Sequence, residues 1–461
     1  MKAYLLVDFG STYTKLTCVD VDSEEILHTS KSITTVFSDV NIGYDKALKE
    51  MNKELSKKYE NLKFEKILAC SSAAGGLKMV AIGLSKNLTS EAAKRAALGA
   101  GARILKTYSY ELKDSDIEEI NNLGCDIVLL SGGTDGGNKR TILYNANMLR
   151  GIKNNIPIVV AGNKYAISEI CEILKGKDIT ITENCMPQVN VLNAEPVRNA
   201  IQKIFLDKIV DAKGMNELEG KINGILMPTP AAVIKGAELL AVGTEDESGI
   251  GDLIVVDVGG ATTDVHSIGY AMPKDNEVRF EGLREPFAKR TVEGDLGMRY
   301  SSLSLYEAVG EKALRELVGE VDILKEIKRR TEDIMMVPKT DDEFKFDESM
   351  ASLAVKTSVK RHAGVLRKEF SYTRYIYYQQ GKDLTDINTV IGTGGVIVHS
   401  KNPKNILNSL EYDKNAPLHL LPKSPNYYVD KSYILSAMGL LGTILPTKAL
   451  KIMKKYLMEV K

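Results

Sequence analysis

The sequence is poor in the residues that build metal clusters and disulfide frameworks. Its 461 residues include no tryptophan, five cysteines and five histidines. The cysteines are scattered and form no Cys-x-x-Cys pair: they are Cys18, Cys70, Cys125, Cys171 and Cys185. This spacing does not match a zinc site, and we expect reduced thiols in a long chain without a secretion signal. The histidines show no ligand spacing either, so we expect packed residues rather than catalysts.

The sequence also lacks an excess of charge of one sign and any long apolar run. Lysine plus arginine and aspartate plus glutamate both total 61, so the formal net charge is zero. A nucleic-acid-binding protein usually carries a strongly basic face, which this balance argues against. No apolar run is long enough to span a bilayer, and a predicted strand begins by Ala3, which leaves no room for a signal peptide. We therefore expect a cytoplasmic protein without nucleic-acid or membrane partners.

The length of the chain predicts more than one domain, because a single core rarely organises so many residues. The polar, glycine-rich segment 243–251 is the candidate linker. We expect an N-terminal lobe over 1–250, with an α/β insertion near 140–250. A C-terminal lobe is expected over 251–461, and its final helices could pack back on the first lobe.

The order of predicted elements is that of an α/β protein. Apolar patterns predict three consecutive strands near residues 3–9, 14–21 and 25–33. A helix with an acidic first turn is predicted from Thr89 to about Thr107. Strand 126–130 is taken as the fifth strand of the first lobe. Two helices are expected within 349–380, after an acidic loop around 340–348.

Two segments far apart in the chain carry the same pattern. They are Leu5-Leu6-Val7-Asp8-Phe9-Gly10-Ser11-Thr12-Tyr13-Thr14-Lys15 and Ile254-Val255-Val256-Asp257-Val258-Gly259-Gly260-Ala261-Thr262-Thr263-Asp264-Val265. Each predicts a strand, a tight turn that begins Asp-x-Gly, and a second strand. Glycine lets the backbone approach a phosphate, consecutive turn amides bind anions, and a carboxylate can hold hydrated Mg²⁺. Two such turns suggest two lobes that bind one nucleotide.

A third segment, Ile391-Gly392-Thr393-Gly394-Gly395, is a strand followed by a glycine-rich loop suited to an adenosine. Alone it could equally be a structural turn. The order of the three segments resembles that of the actin, Hsp70 and sugar-kinase superfamily, where they are called phosphate one, phosphate two and adenosine. The resemblance implies an α/β, ribonuclease H-like fold of two lobes, each a mixed sheet flanked by helices, with insertions. It also implies that ATP binds between the lobes.

A narrower resemblance rests on three further stretches: Tyr4–Lys15, Ser131–Gly137 and Glu293–Arg299. They resemble the MutL/GlmL proteins encoded beside cobalamin-dependent glutamate mutase, which are unrelated to the mismatch-repair protein called MutL. This resemblance implies an ATPase chaperone or reactivating factor, with subunits of a coenzyme-B12-dependent mutase as its partner. It leaves the oligomeric state open, a homodimer included.

The resemblance also implies roles for single residues. Asp8 and Asp257 are expected to face each other across the cleft, to hold Mg²⁺ through water and to orient the attacking water. Asp135 is the candidate third acid, although a plain Asp-Gly turn explains it equally well. Lys15 either approaches the phosphates or lies along a solvated strand face, and Asp264 is expected to be structural. The remaining residues expected to bind ATP or ADP are Gly10, Ser11, Thr12, Thr14, Gly259, Gly260, Thr262, Thr263, Gly294, Gly392, Gly394 and Gly395.

Other functions of the same fold remain open or are argued against by specific residues. A small-molecule kinase would need a catalytic carboxylate and a substrate pocket under Asp135. A hydantoinase-type hydrolase subunit is suggested only by the sequence of the second hairpin. The iron–sulfur activator of 2-hydroxyacyl-CoA dehydratases needs closely placed cysteines, and none occurs after Cys185. The Gly-x-Ser-x-Gly elbow of a serine hydrolase is absent from the sequence.

Overall fold

The computed structural model describes residues 2–10, 13–34, 40–60, 62–72, 77–153, 156–210, 222–223, 225–270, 272–273, 275, 277–371 and 374–460. The chain divides into two compact units. Unit 1 comprises Met1–Leu239, Gly282–Arg284 and Leu435–Ile452, and unit 2 comprises Leu240–Glu281, Glu285–Ile434 and Met453–Lys461. Among the described residues, no helix is both long and apolar enough to cross a bilayer.

The strands are β1 (Ala3–Phe9), β2 (Tyr13–Asp20), β3 (Glu25–Ile33), β4 (Phe64–Ser71), β5 (Lys78–Gly83), β6 (Arg103–Ser109), β7 (Ile127–Leu130), β8 (Ile158–Val160), β9 (Ile179–Ile181), β10 (Ile225–Pro228), β11 (Leu253–Val258), β12 (Thr263–Ile268), β13 (Val278–Phe280), β14 (Ala288–Glu293), β15 (Val365–Ser371), β16 (Arg374–Gln380), β17 (Thr389–Thr393), β18 (Asn426–Val429) and β19 (Met458–Val460).

The α-helices are α1 (Val40–Leu55), α2 (Thr89–Gly99), α3 (Asp114–Leu123), α4 (Arg140–Leu149), α5 (Ile167–Ile173), α6 (Glu195–Val210), α7 (Thr229–Val242), α8 (Ser302–Val309), α9 (Glu311–Val318), α10 (Ile323–Glu332), α11 (Asp341–His362), α12 (Gly395–Val398), α13 (Pro403–Leu407), α14 (Ile434–Gly442) and α15 (Pro446–Tyr456).

The central sheet of unit 1 has the strand order β10-β4-β1-β2-β3. The first three strands of the chain are present, as predicted, and they are antiparallel neighbours, whereas β4 and β10 run parallel to β1. All seven residues of β1 are buried, which explains its almost continuous apolar sequence. Helix α1 covers this sheet, with Tyr44 and Met51 in the same core as Leu5.

The central sheet of unit 2 repeats this order as β14-β12-β11-β17-β18, with β19 added at the edge. The strands β11, β12 and β14 are antiparallel neighbours, and β17 and β18 run parallel to β11. Helix α11 packs on this sheet, with Met350 and Val355 in the same core as Ile254. The predicted fold class is therefore confirmed: each unit is built on a mixed sheet flanked by helices.

Unit 1 contains a second sheet, in which all strands are parallel and the order is β6-β5-β7-β8-β9. The strand predicted over 126–130 is β7, and it belongs to this second sheet. The fifth strand of the central sheet is instead β10, so the predicted placement of strand 126–130 is wrong. A short apolar run such as Ile127–Leu130 does not encode which strands will be its neighbours.

Three predicted segments differ from the observed elements. Helix α2 ends at Gly99 rather than near Thr107, because Gly101 has a φ of +93° and the chain turns into β6. The segment 349–380 holds the end of α11 and the hairpin β15–β16 rather than two helices. The expected acidic loop around 340–348 forms the first turns of α11, capped by Thr340, whose hydroxyl accepts the amide of Glu343.

Candidate functional site

Asp8 lies near the carboxyl end of β1, the middle strand of the central sheet of unit 1. Asp8 pairs with Cys70 of the parallel strand β4 and with Lys15 of the antiparallel strand β2. Cys70 is in turn level with Met227 of β10, and Thr229 follows two residues later. The carboxyl ends of parallel strands meet at one edge, which is where α/β sheets bind ligands.

Three side chains hold the Asp8 carboxylate. Its Oδ1 accepts hydrogen bonds from the Thr229 hydroxyl at 2.7 Å and from the Cys70 thiol at 3.6 Å. Its Oδ2 accepts a hydrogen bond from the Ser436 hydroxyl at 3.1 Å. Burial, and then the Asp8 charge, raise the pKa of the Cys70 thiol well above its ordinary value, so the thiol stays protonated and can donate. The carboxylate is thus fixed in one orientation.

Gly10 begins the turn that joins β1 to β2. Its N–H donates a hydrogen bond to the carbonyl oxygen of Tyr13 at 3.1 Å. A Cβ atom on Gly10 would lie 2.6 Å from that oxygen, so a larger residue would distort the turn. Ser11 and Thr12, the phosphate ligands expected in this turn, lie outside the described residues.

Thr14 and Lys15 of β2 face opposite sides of the sheet, as successive strand residues do. Lys15 pairs with Asp8, so both side chains are on one face, and Lys15 is half-buried there. Thr14 faces the other way: it is fully buried, and its hydroxyl lies 3.0 Å from that of Thr34. The structure therefore places Lys15 on the Asp8 face and places the Thr14 hydroxyl in the core, where it was not expected.

The second hairpin has the same geometry as the first. Asp257 is the penultimate residue of β11, as Asp8 is of β1, and the Gly259 N–H donates to the Thr262 carbonyl oxygen at 2.9 Å. Asp257 pairs with Asp264 and Asp8 pairs with Lys15, so each aspartate pairs with the residue seven positions later. The two hairpins predicted from the repeated pattern are therefore present, and their strands share one register.

The carbonyl oxygens of the second turn are engaged by the segment 298–301. Amides of this segment donate to the oxygens of Gly259 and Gly260 at 3.0 and 2.8 Å, and the Ser301 hydroxyl donates to that of Ala261 at 2.8 Å. Within the part of the chain that the structure describes, no group accepts a hydrogen bond from the amides of Gly260 or Ala261. Both residues are exposed, and consecutive turn amides of this kind can bind an anion.

The residues that follow this turn are bound within the protein. The Thr262 hydroxyl donates to Oδ2 of Asp264 at 3.0 Å, and Oδ1 of Asp264 accepts two hydrogen bonds from Arg290. Thr263 is fully buried and donates to the carbonyl oxygen of Leu296 at 2.6 Å. Asp264 is structural, as expected, whereas Thr263 faces the core for the same reason as Thr14.

Gly294 lies beside the second turn, although it is distant in sequence. The Ser301 hydroxyl contacts the carbonyl oxygens of both Gly294 and Ala261, each at 2.8 Å. The next residue, Asp295, accepts paired hydrogen bonds from Arg361 at 2.8 and 2.9 Å, and these lower the pKa of the Asp295 carboxyl. Both partners are about two-fifths exposed, so the pair orders the loop more than it stabilises the fold.

The glycine-rich loop follows β17, the parallel neighbour of β11. Gly394 has a φ of +94°, and a Cβ atom there would lie 2.3 Å from a carbonyl oxygen of β11 and 2.9 Å from Oδ1 of Asp257. A Cβ on Gly392 would meet the side chains of Ile397 and Leu407 at 2.8 Å. Gly395 has open space around the same position. The loop therefore packs closely on Asp257 and is open at Gly395.

Asp135 follows β7, which lies in the second sheet of unit 1 and not in the sheet that carries Asp8. Its expected position at the end of the fifth central strand is therefore wrong. Its Oδ1 accepts hydrogen bonds from the Lys164 amide and from the Asn184 side chain, both at 3.0 Å. Asn184 also donates to the carbonyl oxygen of Gly133 at 3.0 Å. The carboxylate thus joins the loops that follow β7, β8 and β9.

Described residues leave the Asp8 carboxylate one acceptor position, which suits a hydrated Mg²⁺ better than a directly coordinated metal. Among the described residues there is no group of three or more His, Cys, Asp or Glu side chains that could hold a metal ion. Mg²⁺ commonly keeps several waters and takes few protein ligands. A carboxylate offers about four acceptor positions, and described residues occupy three of those of Asp8. A metal-bound water could use the remaining position.

Four residues at these sheet edges were not predicted as site residues: Cys70, Thr229 and Ser436 in unit 1, and Asp430 in unit 2. Asp430 is almost fully buried directly after β18, and its Oδ1 accepts the amide of Ile434 at 2.9 Å. It occupies the position after the fifth strand that Thr229 occupies in unit 1. Thr229 and Asp430 could have been identified as the residues that directly follow the fifth strand of each central sheet. Their position can be recognised only when the order of strands in the sheet is known.

The duplicated strand order, with an Asp-x-Gly turn after the first strand of each central sheet and a glycine-rich loop after β17, defines the actin-like ATPase fold. The family model described as "MutL protein" matches residues 4–457. Protein MutL of Clostridium tetanomorphum is 56% identical over 464 residues, which cover 100% of each chain. The chain belongs to the MutL protein family.

Solved structures resemble the chain more distantly. The activator of the 2-hydroxyisocaproyl-CoA dehydratase from Clostridium difficile, with bound ADPNP, is 11% identical over 100% of this chain and 98% of its own, with a TM-score of 0.33. Xylulose kinase from Lactobacillus acidophilus is 12% identical over 100% and 93%, with a TM-score of 0.36. Because both scores are low, the fold assignment rests on the strand order of the two central sheets.

Proposed function

We propose that this chain binds and slowly hydrolyses Mg-ATP, and that it acts as a chaperone that reactivates a coenzyme-B12-dependent mutase, with glutamate mutase as the client. The observation that carries the proposal is the repeated turn. One Asp-x-Gly turn after a strand could be a structural cap. Here two such turns have the same strand register, and each is closed by the same kind of hydrogen bond. They lie at corresponding positions of two sheets that have the same strand order.

Each part of the two hairpins has a role in this proposal. Asp8 and Asp257 hold hydrated Mg²⁺, while the turn amides that follow Gly10 and Gly259 bind the phosphates. Lys15, on the Asp8 face of β2, adds positive charge near the phosphates. The open side of Gly395 receives the adenosine. Donors that are already oriented stabilise phosphoryl transfer because they need no reorganisation during the reaction.

The client is proposed from membership of the MutL family and from the motifs that resemble those of MutL/GlmL proteins. Exchange of ATP for ADP can drive release of damaged cobalamin only if the two nucleotide states differ in affinity for the mutase. ATP turnover is therefore expected to be slow, below about 1 s⁻¹, and coupled to the client.

The test is reactivation of a cyanocobalamin-blocked mutase by the full-length chain with Mg-ATP and free coenzyme. We expect mutase activity to return and ATP turnover to rise when the blocked mutase is added. Asp8→Asn and Asp257→Asn should lose both effects, while Asp342→Asn, an exposed acid of α11, should keep both. No return of mutase activity with the wild-type chain would refute the chaperone function.

A small-molecule kinase of the same fold remains the alternative outcome of that assay. Fast ATP consumption that depends on one small hydroxyl compound, without a mutase, would support it. A kinase would use Asp135 as its catalytic carboxylate. The hydrogen bonds of Asp135 instead join three loops of the second sheet, which argues against that role.

A further inference from the structure

Two hydroxyl groups from separate helices meet on the Asp8 carboxylate. Thr229 is the first residue of α7, and Ser436 lies in the first turn of α14. The two residues lie 221 and 428 positions from Asp8 in the sequence. Local sequence therefore gives no reason for this convergence, and the packing of unit 1 alone produces it.

Two close backbone contacts join the helices that carry these hydroxyl groups. A Cβ atom on Gly236 of α7 would lie 2.5 Å from the carbonyl oxygen of Leu435. A Cβ atom on Gly439 of α14 would lie 1.9 Å from the carbonyl oxygen of Ala232. Only glycine permits so close an approach of two helices. Within unit 1, the first turn of each helix is therefore packed against a later turn of the other.

The donors are distributed unequally between the two oxygens of Asp8. Oδ1 accepts from the Thr229 hydroxyl and the Cys70 thiol, whereas Oδ2 accepts only from Ser436 within the described part of the chain. Each carboxylate oxygen has two lone pairs. Oδ1 is thus filled by protein donors, and Oδ2 keeps one acceptor position.

We propose that Thr229 and Ser436 are positioning residues, which orient Asp8 so that Oδ2 accepts a hydrogen bond from the hydration shell of a nucleotide-bound divalent cation. This inference rests on the proposed nucleotide-binding function. The terminal torsion of aspartate is broad, so a carboxylate without these donors samples other orientations. The hydroxyl groups stabilise the orientation that presents Oδ2.

The test measures metal–nucleotide binding separately from turnover, with Mn²⁺ and ADP as the probe and the electron paramagnetic resonance signal of free Mn²⁺ as the readout. Thr229→Val removes the hydroxyl at nearly the same shape, and Thr229→Ser keeps it. Ser436→Ala is a second, independent variant. We expect Thr229→Val and Ser436→Ala each to weaken Mn²⁺-dependent ADP binding by about 10-fold or more, the usual effect of losing a hydrogen bond to a charged group.

The controls separate positioning from folding. ADP binding in EDTA should stay at the wild-type value in both variants, Thr229→Ser should restore Mn²⁺-ADP binding, and Thr443→Val, just beyond α14, should change nothing. Normal Mn²⁺-ADP binding by Thr229→Val and Ser436→Ala would overturn the inference and leave the proposed function intact. Equal losses with and without metal, or no rescue by Thr229→Ser, would also overturn it. Absence of ADP binding by the wild-type chain would refute the proposed function and the inference together.

Discussion

Arg290 of β14 donates two hydrogen bonds, at 2.6 and 2.9 Å, to one carboxylate oxygen of Asp264 on β12. Both side chains are largely buried, with 5% and 16% of their surface exposed. Asp264 pairs with Asp257 across the hairpin and accepts the Thr262 hydroxyl with its other oxygen. The ion pair therefore anchors the strand that leaves the second Asp-x-Gly turn.

Removal of this guanidinium should destabilise unit 2 strongly. We expect Arg290→Met to lower the free energy of unfolding by about 3–5 kcal/mol, because it leaves a buried carboxylate without its cation. Arg315→Met, which removes an exposed pair with Glu311, should leave the urea midpoint nearly unchanged. Urea denaturation of both variants measures the difference, and equal midpoints would contradict it.

Two adjacent glycines of the loop after β17 should respond differently to one added methyl group. Gly394→Ala places a Cβ atom 2.3 Å from a β11 carbonyl oxygen at a φ of +94°, so we expect a loss of at least about 1–3 kcal/mol in stability. Gly395→Ala meets open space and should leave the urea midpoint unchanged. If Gly395 faces the adenosine, that variant should nevertheless bind ADP more weakly. Similar stability losses in both variants would contradict the geometry of this loop.

Buried histidines should make unit 2 sensitive to acid. Burial, and then the charge of Arg290, lower the pKa of His266 to about 3. The unfolded chain has the ordinary value near 6.5, so between these values it binds a proton that the folded chain excludes. Stability is therefore complete above about pH 6.5 and falls by up to about 1.4 kcal/mol per pH unit below it. Urea denaturation at pH 7.5 and 5 should show a smaller loss for His266→Gln than for the wild type, and equal losses would contradict the assignment.

Thiol reactivity should identify one cysteine in the folded protein. Cys171 is partly exposed, whereas Cys18, Cys70, Cys125 and Cys185 are buried. Burial also raises the pKa of Cys18 and Cys185 to about 12, which removes the reactive thiolate. We expect one fast-reacting thiol with Ellman's reagent in buffer and five in urea. Cys171→Ser should abolish the fast phase, and its persistence in that variant would show that a buried thiol is accessible.

The two hairpins and the glycine-rich loop could be predicted because turn chemistry is local. A glycine two residues after the aspartate permits the close approach of Gly10 to Tyr13 and of Gly259 to Thr262, and both contacts involve residues three positions apart. Local sequence was sufficient for each of these elements.

The errors concern choices that neighbouring residues do not make. Whether Thr14 or Lys15 shares a face with Asp8 depends on strand register, and Thr14 is directed to the core. The strand that leads to Asp135 has a sequence suited to any buried parallel strand, so its sheet could not be read from its residues. The end of α2 is an exception, because Gly99 and Gly101 are a local helix-ending signal that the prediction to Thr107 did not use.

The sequence by itself determined the local units of this protein: two strand–turn–strand segments with aspartates at corresponding positions, a glycine-rich loop, and the motifs that indicate its family. Only the tertiary structure decided which groups complete the Asp8 site. The hydroxyls of Thr229 and Ser436 reach this carboxylate from 221 and 428 residues away, through a helix contact that requires Gly236 and Gly439. Hydrogen bonds and close packing act over a few ångströms of space, whatever the separation along the chain. The packing of the helices, and not any motif, therefore sets the orientation of Asp8.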